Sequence, residues 1–502
     1  MSKKKDNTAD LNDQMIVRRE KLQDLKSEGK DPFEETKYPQ SHLSSEIKAN
    51  YDELEEEKVY IAGRIMAKRG MGKAGFADIQ DSAGQIQIYI RQDEVGKEAY
   101  ALWKKLDIGD IVGIHGFVNK TNTGEITVHV EDYELLAKCL RPLPEKWSGL
   151  QDPELRFRQR YLDLLMNDGV KDKFVMRSKI ISHLRSILED KGFIEVETPI
   201  LNTIPGGANA RPFVTHHNTL DIDMYMRIAP ELYLKRLVVG GFDKVFELGR
   251  NFRNEGMDHK HNPEFNMLEL YEAYSDYEDM MDLTEELIKR LAKEVIGKTE
   301  FEFEGHTIDL GQDFERLTML DAVKKYAGVD FTEVEDLDEA FALAKEHNVE
   351  TQEVFEMGDI LNAFFETFVE ENLIQPTFVY DYPIEVSPLS KQKPSNPKFT
   401  ERFELFIDGE EFANAYSELN DPIEQEKRFK AQESRRAAGD DEAQRIDEDY
   451  LIALQYALPP TGGLGIGIDR LVMLLTEEEN IREVILFPTM KPTNTESTDD
   501  EE

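Results

Sequence analysis

The stretch Phe252–Phe265, FRNEGMDHKHNPEF, decides how the second half of the chain is read. It carries Arg253 and Lys260, three acids, two histidines and a phenylalanine at each end. No apolar face recurs at helical spacing, and apolar residues do not alternate with polar ones as in a half-buried strand. On either side lie KVFELGRNF (244–252) and FNMLELYEAY (265–274), both strand-like. The stretch is therefore a hairpin loop, with Arg253 and Glu255 on one limb and His261 and Phe265 on the other. A guanidinium fork matches two oxygens of a carboxylate or phosphate, and a phenyl ring offers a stacking face to a base. Taken alone, Arg253 and Glu255 are equally readable as a surface ion pair of little worth.

Two further segments bear on that choice. GGLGIGIDRLVMLL (462–475) is a glycine-studded strand running into a helix. Gly463, Gly465 and Gly467 let a planar group approach the backbone, and Arg470 opens the helix, placed to stack on a base opposite Phe265. The segment lacks the Gly-Lys-Ser/Thr ending of a Walker loop, which excludes that kind of phosphate site. KGFIEVETPIL (191–201) ends a helix at Gly192 and leads through a strand to Pro199. By itself it reads as a plain helix–strand turn.

The chain has 502 residues, enough for two to four domains, and 40% are hydrophobic, enough for packed cores. No run approaches the ~20 apolar residues of a membrane span. The basic start MSKKKDNTADLNDQ has no apolar stretch behind it, so it is not a secretory signal. Cys139 is the only cysteine, which excludes an internal disulfide and suits a reducing cytosol. The net charge of −41 argues against a polyanionic partner, but it is unevenly spread. Residues 1–150 carry −4 and the remainder −37, so a nucleic acid would dock first on the N-terminal part, with salt-sensitive affinity. Residues 11–28 have helical spacing through Leu11, Met15, Val17, Leu22 and Leu25. From 57 to 137, five short strands with one helix (97–106) between the third and fourth outline an OB barrel, another small β-barrel being the alternative. A proline-containing connector with Arg156, Arg158 and Arg160 follows. Beyond it, long helices mix with clustered strands, among them PTFVYDYP and RFELFIDGEEFANAYSEL, without βαβ alternation, which predicts an antiparallel α+β domain.

In their order along the chain, the three segments resemble the motif set of class II aminoacyl-tRNA synthetases. Gly192, Phe193 and Pro199 match the first motif. Phe252-Arg253-Asn254-Glu255 with His261 to Phe265 matches the second, and Gly463 to Arg470 the third. Asp469 departs from the Glu that many members carry before the arginine. The N-terminal OB domain narrows the resemblance to the subgroup charging Lys, Asp and Asn. The strings IPGGANARPF, RIAPELYLKRL, EEFANAYSEL and GLGIGIDR are similar to its bacterial-type lysyl members over nearly the whole chain. Charge agrees: Glu231, Glu269 and Glu418 sit in or beside motif-bearing segments, as a substrate with two ammonium groups requires. An Asp substrate would need cations instead, and Asn has no side-chain charge.

The resemblance implies a fold of α+β class, an OB-fold anticodon-binding barrel plus an antiparallel-sheet catalytic domain with flanking helices. Its expected divisions are an N-terminal helix and link (1–56), the OB domain (57–142), a connector (143–167), the catalytic domain (168–490) and an acidic tail (491–502). It implies activation of L-lysine by ATP and transfer to tRNA(Lys), with Mg2+, in a cytoplasmic homodimer without membrane attachment. Glu231, with the backbone near Gly207, would bind the α-ammonium, and Arg253 and Asn414 the α-carboxylate. Glu418 and Tyr271, with Glu269 close by and Tyr416 in the same pocket, would take the ε-ammonium. Glu255, His261, Asn262, Phe265, Glu411, Gly465 and Arg470 would hold ATP, Phe265 and Arg470 sandwiching adenine. Arg253 and Arg470 would be catalytic through charge neutralisation, and Glu404 and Glu411 would hold magnesium. Phe76, Gln87 and Glu125 would read the anticodon. Lys260, where many relatives carry Arg, is a candidate phosphate-facing charge. The rival readings are an Asp or Asn enzyme of the same subgroup, a non-catalytic nucleic-acid-binding paralogue, and a protein-lysylating relative. The paralogue should have lost Arg253, Arg470 or the Glu404/Glu411 pair, and the protein-lysylating relative should lack the OB domain.

Overall fold

Alternation of isoleucine and valine with polar residues builds the N-terminal barrel in the computed structural model, which describes residues 13–144, 149–352, 354–437 and 445–493. A helix, α1 (Asp13–Ser27), precedes strands β1 (Lys58–Met71), β2 (Ala74–Gln80), β3 (Gln85–Arg91), β4 (Ile111–Lys120) and β5 (Ile126–Ala137). They close in the order β1-β2-β3-β5-β4 around Ile61, Ile79, Ile88, Ile114 and Val128, all essentially buried. Helix α2 (Lys97–Lys105) lies between β3 and β4 in the chain, as expected of an OB barrel. Gly116 is required by crowding: a β-carbon there would fall 1.9 Å from the His129 carbonyl oxygen, at a register shift between β4 and β5.

Helix α1 forms, but not with the expected face. Met15 and Leu25 are buried, while Val17 is 47% exposed and Arg18 takes the inward place. The Arg18 guanidinium donates to the carbonyls of Cys139 (3.1 Å) and Arg141 (3.3 Å), so a polar anchor replaces the apolar contact. Leu11 and the acidic stretch 494–502 lie outside the described residues.

The chain divides into two units between Leu150 and Gln151. The basic run after the division forms two short helices, Pro153–Arg158 and Arg160–Met166, and is neutralised within the second unit. Arg156 pairs with Asp163 (2.8 Å) and Glu483 (3.0 Å), Arg158 with Glu154 (2.7 Å), and the fully buried Arg160 with Asp163 (2.5 Å).

The second unit is organised on one eight-stranded sheet. In chain order its elements are helix α3 (Val170–Asp190), strand β6 (Ile194–Glu195), helix α4 (Glu231–Val239), the hairpin β7 (Lys244–Phe252) and β8 (Glu264–Ala273), and helix α5 (Tyr277–Arg290). Then come β9 (Glu315–Thr318), β10 (Thr377–Tyr380), β11 (Arg402–Ile407), β12 (Glu410–Ser417), β13 (Thr461–Gly467) and helix α6 (Ile468–Thr476). The sheet order is β9-β10-β11-β12-β13-β8-β7-β6, antiparallel except at its two edge pairs. The string 402–419 is thus a hairpin of two strands, turned at Asp408 and Gly409, both with positive φ. Helices α3, α5 and α6 cover one face, burying Leu184, Leu188, Met280, Leu287, Leu471 and Leu474 against Leu268, Leu270, Leu464 and Ile466. Helix α3 ends where Gly192 takes φ +86, a conformation that glycine adopts without strain, and Phe193 then turns into this core. Among the described residues no helix is long and apolar enough to cross a membrane.

Candidate active site

The period of two that buries Leu268 and Leu270 sends Phe265, Met267, Glu269 and Tyr271 to the opposite face of β8. There they line a cleft of about 490 Å³. The same alternation on β13 buries Leu464 and Ile466 and leaves Gly463, Gly465 and Gly467 as its floor. Pairing sets the walls. Gly463 is flanked by Tyr271 of β8 and Tyr416 of β12, and Gly465 by Glu269 and Asn414. The glycines are therefore a trough between side chains from both neighbours. A β-carbon at 463 would fall 2.0 Å from Glu418 Oε1 and 2.6 Å from the Tyr271 ring.

One end of the trough is acidic. Glu231 begins α4, next to Gly207, whose φ is +89 and where a β-carbon would lie 3.0 Å from that of Glu231. Glu231, Glu269 and Glu418 are 5%, 5% and 1% exposed. Glu231 accepts from the Tyr416 hydroxyl (2.6 Å) and from the ammonium of Lys235 (2.5 Å), which also contacts Glu418. Glu418 Oε1 is buried with no hydrogen-bond partner. Burial pushes the Glu269 carboxyl up to about 8, and Glu231 adds to this against the pull of Arg253 and Arg227. Burial likewise raises the Glu418 carboxyl, against the pull of Lys235.

The other end is cationic and aromatic. The Arg253 guanidinium lies 5.1 Å from the centre of the Phe265 ring. Arg470 donates to the Glu411 carbonyl (2.6 Å), and its second nitrogen lies 3.0 Å from His261 Nε2. His261 Nδ1 faces Asp258 at 2.9 Å. That carboxyl is held down to about 2 by His261 and two backbone N–H groups, which outweigh its partial burial. Asp469 is buried, accepting from the Asn266 amide (2.7 Å) and pairing with Arg177 (2.6 Å), so it ties the start of α6 to β8 and α3. The short Asp thus has a structural task of its own at the position where Glu was noted as the common residue.

Fifteen of the expected site residues line this one cleft: Gly207, Glu231, Arg253, Glu255, His261, Asn262, Phe265, Glu269, Tyr271, Glu404, Glu411, Asn414, Tyr416, Gly465 and Arg470. Glu418 reaches the same place from just beyond β12, its Oε1 lying over Gly463 where a β-carbon would otherwise stand. Asn262 uses its amide on backbone, donating to Glu264 (2.6 Å) and accepting from Thr489 (3.2 Å). Lys260 also lines the cleft, but its ammonium is held between Glu304 (3.1 Å) and Glu410 (2.8 Å). Two residues passed over in the sequence matter to the charges. Arg402 contacts Glu404 and donates to Asn414 (3.2 Å), and Lys235 contacts two of the three acids. The spacing of Glu231 and Lys235, four apart on a helix, was the available signal for the second.

For a metal ion, the donors are hard carboxylate oxygens. Among the described residues no group of three or more His, Cys, Asp or Glu converges as a complete metal site. Glu404 accepts from Tyr382 (2.8 Å) and from Asn414 (3.2 Å). Enclosure in the cleft and the neighbouring Glu404 push the Glu411 carboxyl up to about 7 despite Arg470, Arg402 and Arg253. Two carboxylates that repel one another on the wall of this cleft fit a divalent cation that draws its remaining ligands from elsewhere.

On the barrel, Phe76 stands in a row with Tyr89, His129 and Phe117, one from each of four adjacent strands. Ring centres are 4.7, 5.1 and 4.9 Å apart along the row. Gln87 accepts from Thr127 (3.0 Å), and the exposed Glu125 lies before β5, 4.0 Å from Lys48. Tyr89, His129 and Phe117 were missed in the sequence. Their signal was an outward aromatic in each strand, which means little until register aligns them.

Comparison with known proteins agrees with both units. Residues 152–491 match the family described as tRNA synthetases class II (D, K and N), and residues 59–136 match the OB-fold nucleic acid binding domain. The chain is 57% identical over 488 residues to a lysine–tRNA ligase of Clostridium tetani, covering 97% of each chain. It is 58% identical over 491 residues to one of Staphylococcus aureus (strain MW2), covering 96% of this chain and 99% of the relative. A lysine–tRNA ligase of Enterococcus faecalis is 57% identical over 489 residues, with 96% and 98% covered.

Proposed function

Since the chain belongs to the class II tRNA synthetase family of the D, K and N enzymes, we propose that it ligates L-lysine to tRNA(Lys) at the expense of ATP. The observation that carries the choice of amino acid is the buried acid set Glu231, Glu269 and Glu418 at one end of a cleft whose other end holds Arg253, Phe265 and Arg470. Only a substrate with two ammonium groups satisfies such acids. An Asp side chain would meet repulsion there and an Asn amide would leave the charges unpaired.

Glu231 takes the α-ammonium, and Arg253 and Asn414 take the α-carboxylate. The side chain runs over the glycine floor to Glu269, Tyr271 and Glu418, with Tyr416 closing the pocket. At the other end Phe265 and Arg470 hold adenine between them, with His261, Asn262, Glu255, Glu411 and Gly465 around the nucleotide. The carboxylate oxygen attacks the α-phosphorus, the bond to the bridging oxygen breaks, and pyrophosphate leaves with lysyl-adenylate retained. A ribose hydroxyl at the tRNA 3′ end then attacks the adenylate carbonyl, and AMP departs. No side chain serves as a nucleophile. Alignment and the fixed charges of Arg253 and Arg470 supply the rate enhancement. Glu404 and Glu411 would hold magnesium, which when bound neutralises triphosphate charge.

The aromatic row on the barrel supports anticodon binding by stacking, with Phe76, Gln87 and Glu125 as the reading positions. Exposed Ile194, Ile200, Leu201 and Ile204 in and after the first motif support a two-fold dimer through that segment. A single cysteine supports the cytosol as its compartment.

ATP–pyrophosphate exchange with Lys, Asp and Asn in turn tests the reading. Exchange with lysine alone is expected. Exchange driven by Asp or Asn, and silent with lysine, overturns it.

A further inference from the structure

Lys235 has no exposed surface, and it lies one helical turn after Glu231 on α4. Its ammonium contacts Glu231 Oε1 at 2.5 Å and also Glu418 Oε2. The rings of Tyr416, Tyr450 and Tyr271 surround it at 5.4, 5.9 and 6.0 Å. It reaches the acids from behind the cleft wall that Glu231, Tyr271 and Tyr416 form. Burial pulls the pKa of its ammonium down, but Glu231 and Glu418 outweigh that pull and raise it.

Burying three or more charges together costs several kcal/mol per ion, and packed apolar side chains do the same structural work at least as well. The charge pattern, however, suits a substrate. Glu231, Glu269 and Glu418 oppose Lys235 and Arg253, which leaves one negative charge when all are ionised. Lysine, with two ammonium groups and one carboxylate, brings one positive charge. Without Lys235 the acids would face one another across an empty pocket, and protonation or separation would relieve them. Lys235 contacts Oε2 of Glu418 and leaves Oε1 unpartnered over Gly463.

On the reading of a lysine-activating site given above, we propose that Lys235 is a built-in counter-ion. It is a positioning residue that opposes the charge of Glu231 and Glu418 and holds both carboxylates in place, so that the substrate ammonium groups meet preformed acceptors. It touches no reacting atom, so its effect falls on lysine recognition and not on chemistry or on ATP.

Kinetics of lysine-dependent pyrophosphate exchange on the full chain test this with Lys235→Met, Lys235→Arg and Lys235→Ala. Loss of the buried partner of a charged pair predicts a lysine KM raised about 50-fold in Lys235→Met, with kcat and ATP KM within about two-fold of the parent. Lys235→Arg, which keeps the charge, should stay within about five-fold in lysine KM. Lys235→Ala should be rescued by n-propylammonium, which replaces the missing atoms, while the same compound does not improve the parent enzyme. An unchanged lysine KM in Lys235→Met overturns the proposal. So does an equal loss in the Met and Arg variants, or a joint fall of kcat, ATP affinity and melting temperature without ammonium rescue. A parent enzyme silent with lysine overturns the underlying functional reading instead, which separates the two failures.

Discussion

The two ligand surfaces of this molecule are built on opposite plans. The barrel presents its row of aromatics on the outside of a closed sheet, where a flexible single strand can lie across it. The cleft gathers its groups on one face of an open sheet, with acids 1–5% exposed and a floor of glycines. The first plan needs little desolvation and tolerates imprecise placement, because stacking is sequence-tolerant and broad. The second buries charge, and buried charge has value only when every partner is in position. Substitutions in the cleft should therefore be severe and specific to one substrate, and those on the barrel moderate and confined to tRNA.

The sharpest contrast comes from Arg253. Its guanidinium faces Phe265 and adjoins the acid set, and on the proposed reading it both holds the α-carboxylate and supplies fixed charge for the reaction. Arg253→Ala should lower kcat/KM for pyrophosphate exchange about 10³-fold, at the upper end for loss of one preorganised charge contact. Retention of more than a tenth of the activity, measured by exchange at saturating ATP, would break the view of the cleft as a preorganised charge array.

Glu418→Gln separates the ends of the cleft. The side chain keeps its size beside Gly463 but loses its charge, and the cost of a missing charged acceptor is about 2–3 kcal/mol. Lysine KM should rise about 30- to 100-fold while ATP KM stays within about two-fold. Equal loss of both would assign Glu418 to structure alone.

On the barrel, Phe76→Ala removes one ring from the row with Tyr89, His129 and Phe117. A stacked base is worth about 1–3 kcal/mol, so tRNA KM in aminoacylation should rise roughly 10- to 100-fold with pyrophosphate exchange intact. Damage to exchange would contradict the independence of the two surfaces.

How much of each surface was legible follows from how each is assembled. Arg253, His261 and Phe265 lie within one hairpin, and the glycine run before Arg470 is a single strand, so their chemistry can be read from adjacent letters. The barrel strands were legible because Ile86, Ile88 and Ile90 alternate with polar residues. The aromatic row was not, because Phe76, Tyr89, His129 and Phe117 become neighbours only through register across four strands. Arg18 took an inward place expected of an apolar residue because two distant carbonyls, at 139 and 141, receive it. Lys235 was hidden for the same reason. Its partner Glu231 is four residues away, but Glu418 arrives from another strand, and only the two together make it more than a helix-surface pair.

The smallest expected effect probes what the enclosed plan does to titration. The Glu269 carboxyl, pushed up to about 8 by burial and by Glu231, is protonated in much of the empty enzyme at pH 7. A cationic substrate prefers the carboxylate, so binding lysine expels that proton. The sign follows from linkage: below pH 8 lysine affinity rises with pH by at most about ten-fold per unit, and it levels off once Glu269 is ionised in the free enzyme. Lysine KM should therefore fall by at most about 15-fold between pH 6.5 and 8, and Glu269→Gln should flatten the profile. Calorimetry in buffers of different ionisation enthalpy should show a proton released per lysine bound at pH 7. The barrel offers the control. His129, in the aromatic row, is shifted below the usual histidine value by burial. The barrel's contribution to tRNA KM should then not follow the lysine profile, and a Phe76→Ala penalty that changes with pH alongside lysine KM would show that the two surfaces are coupled after all.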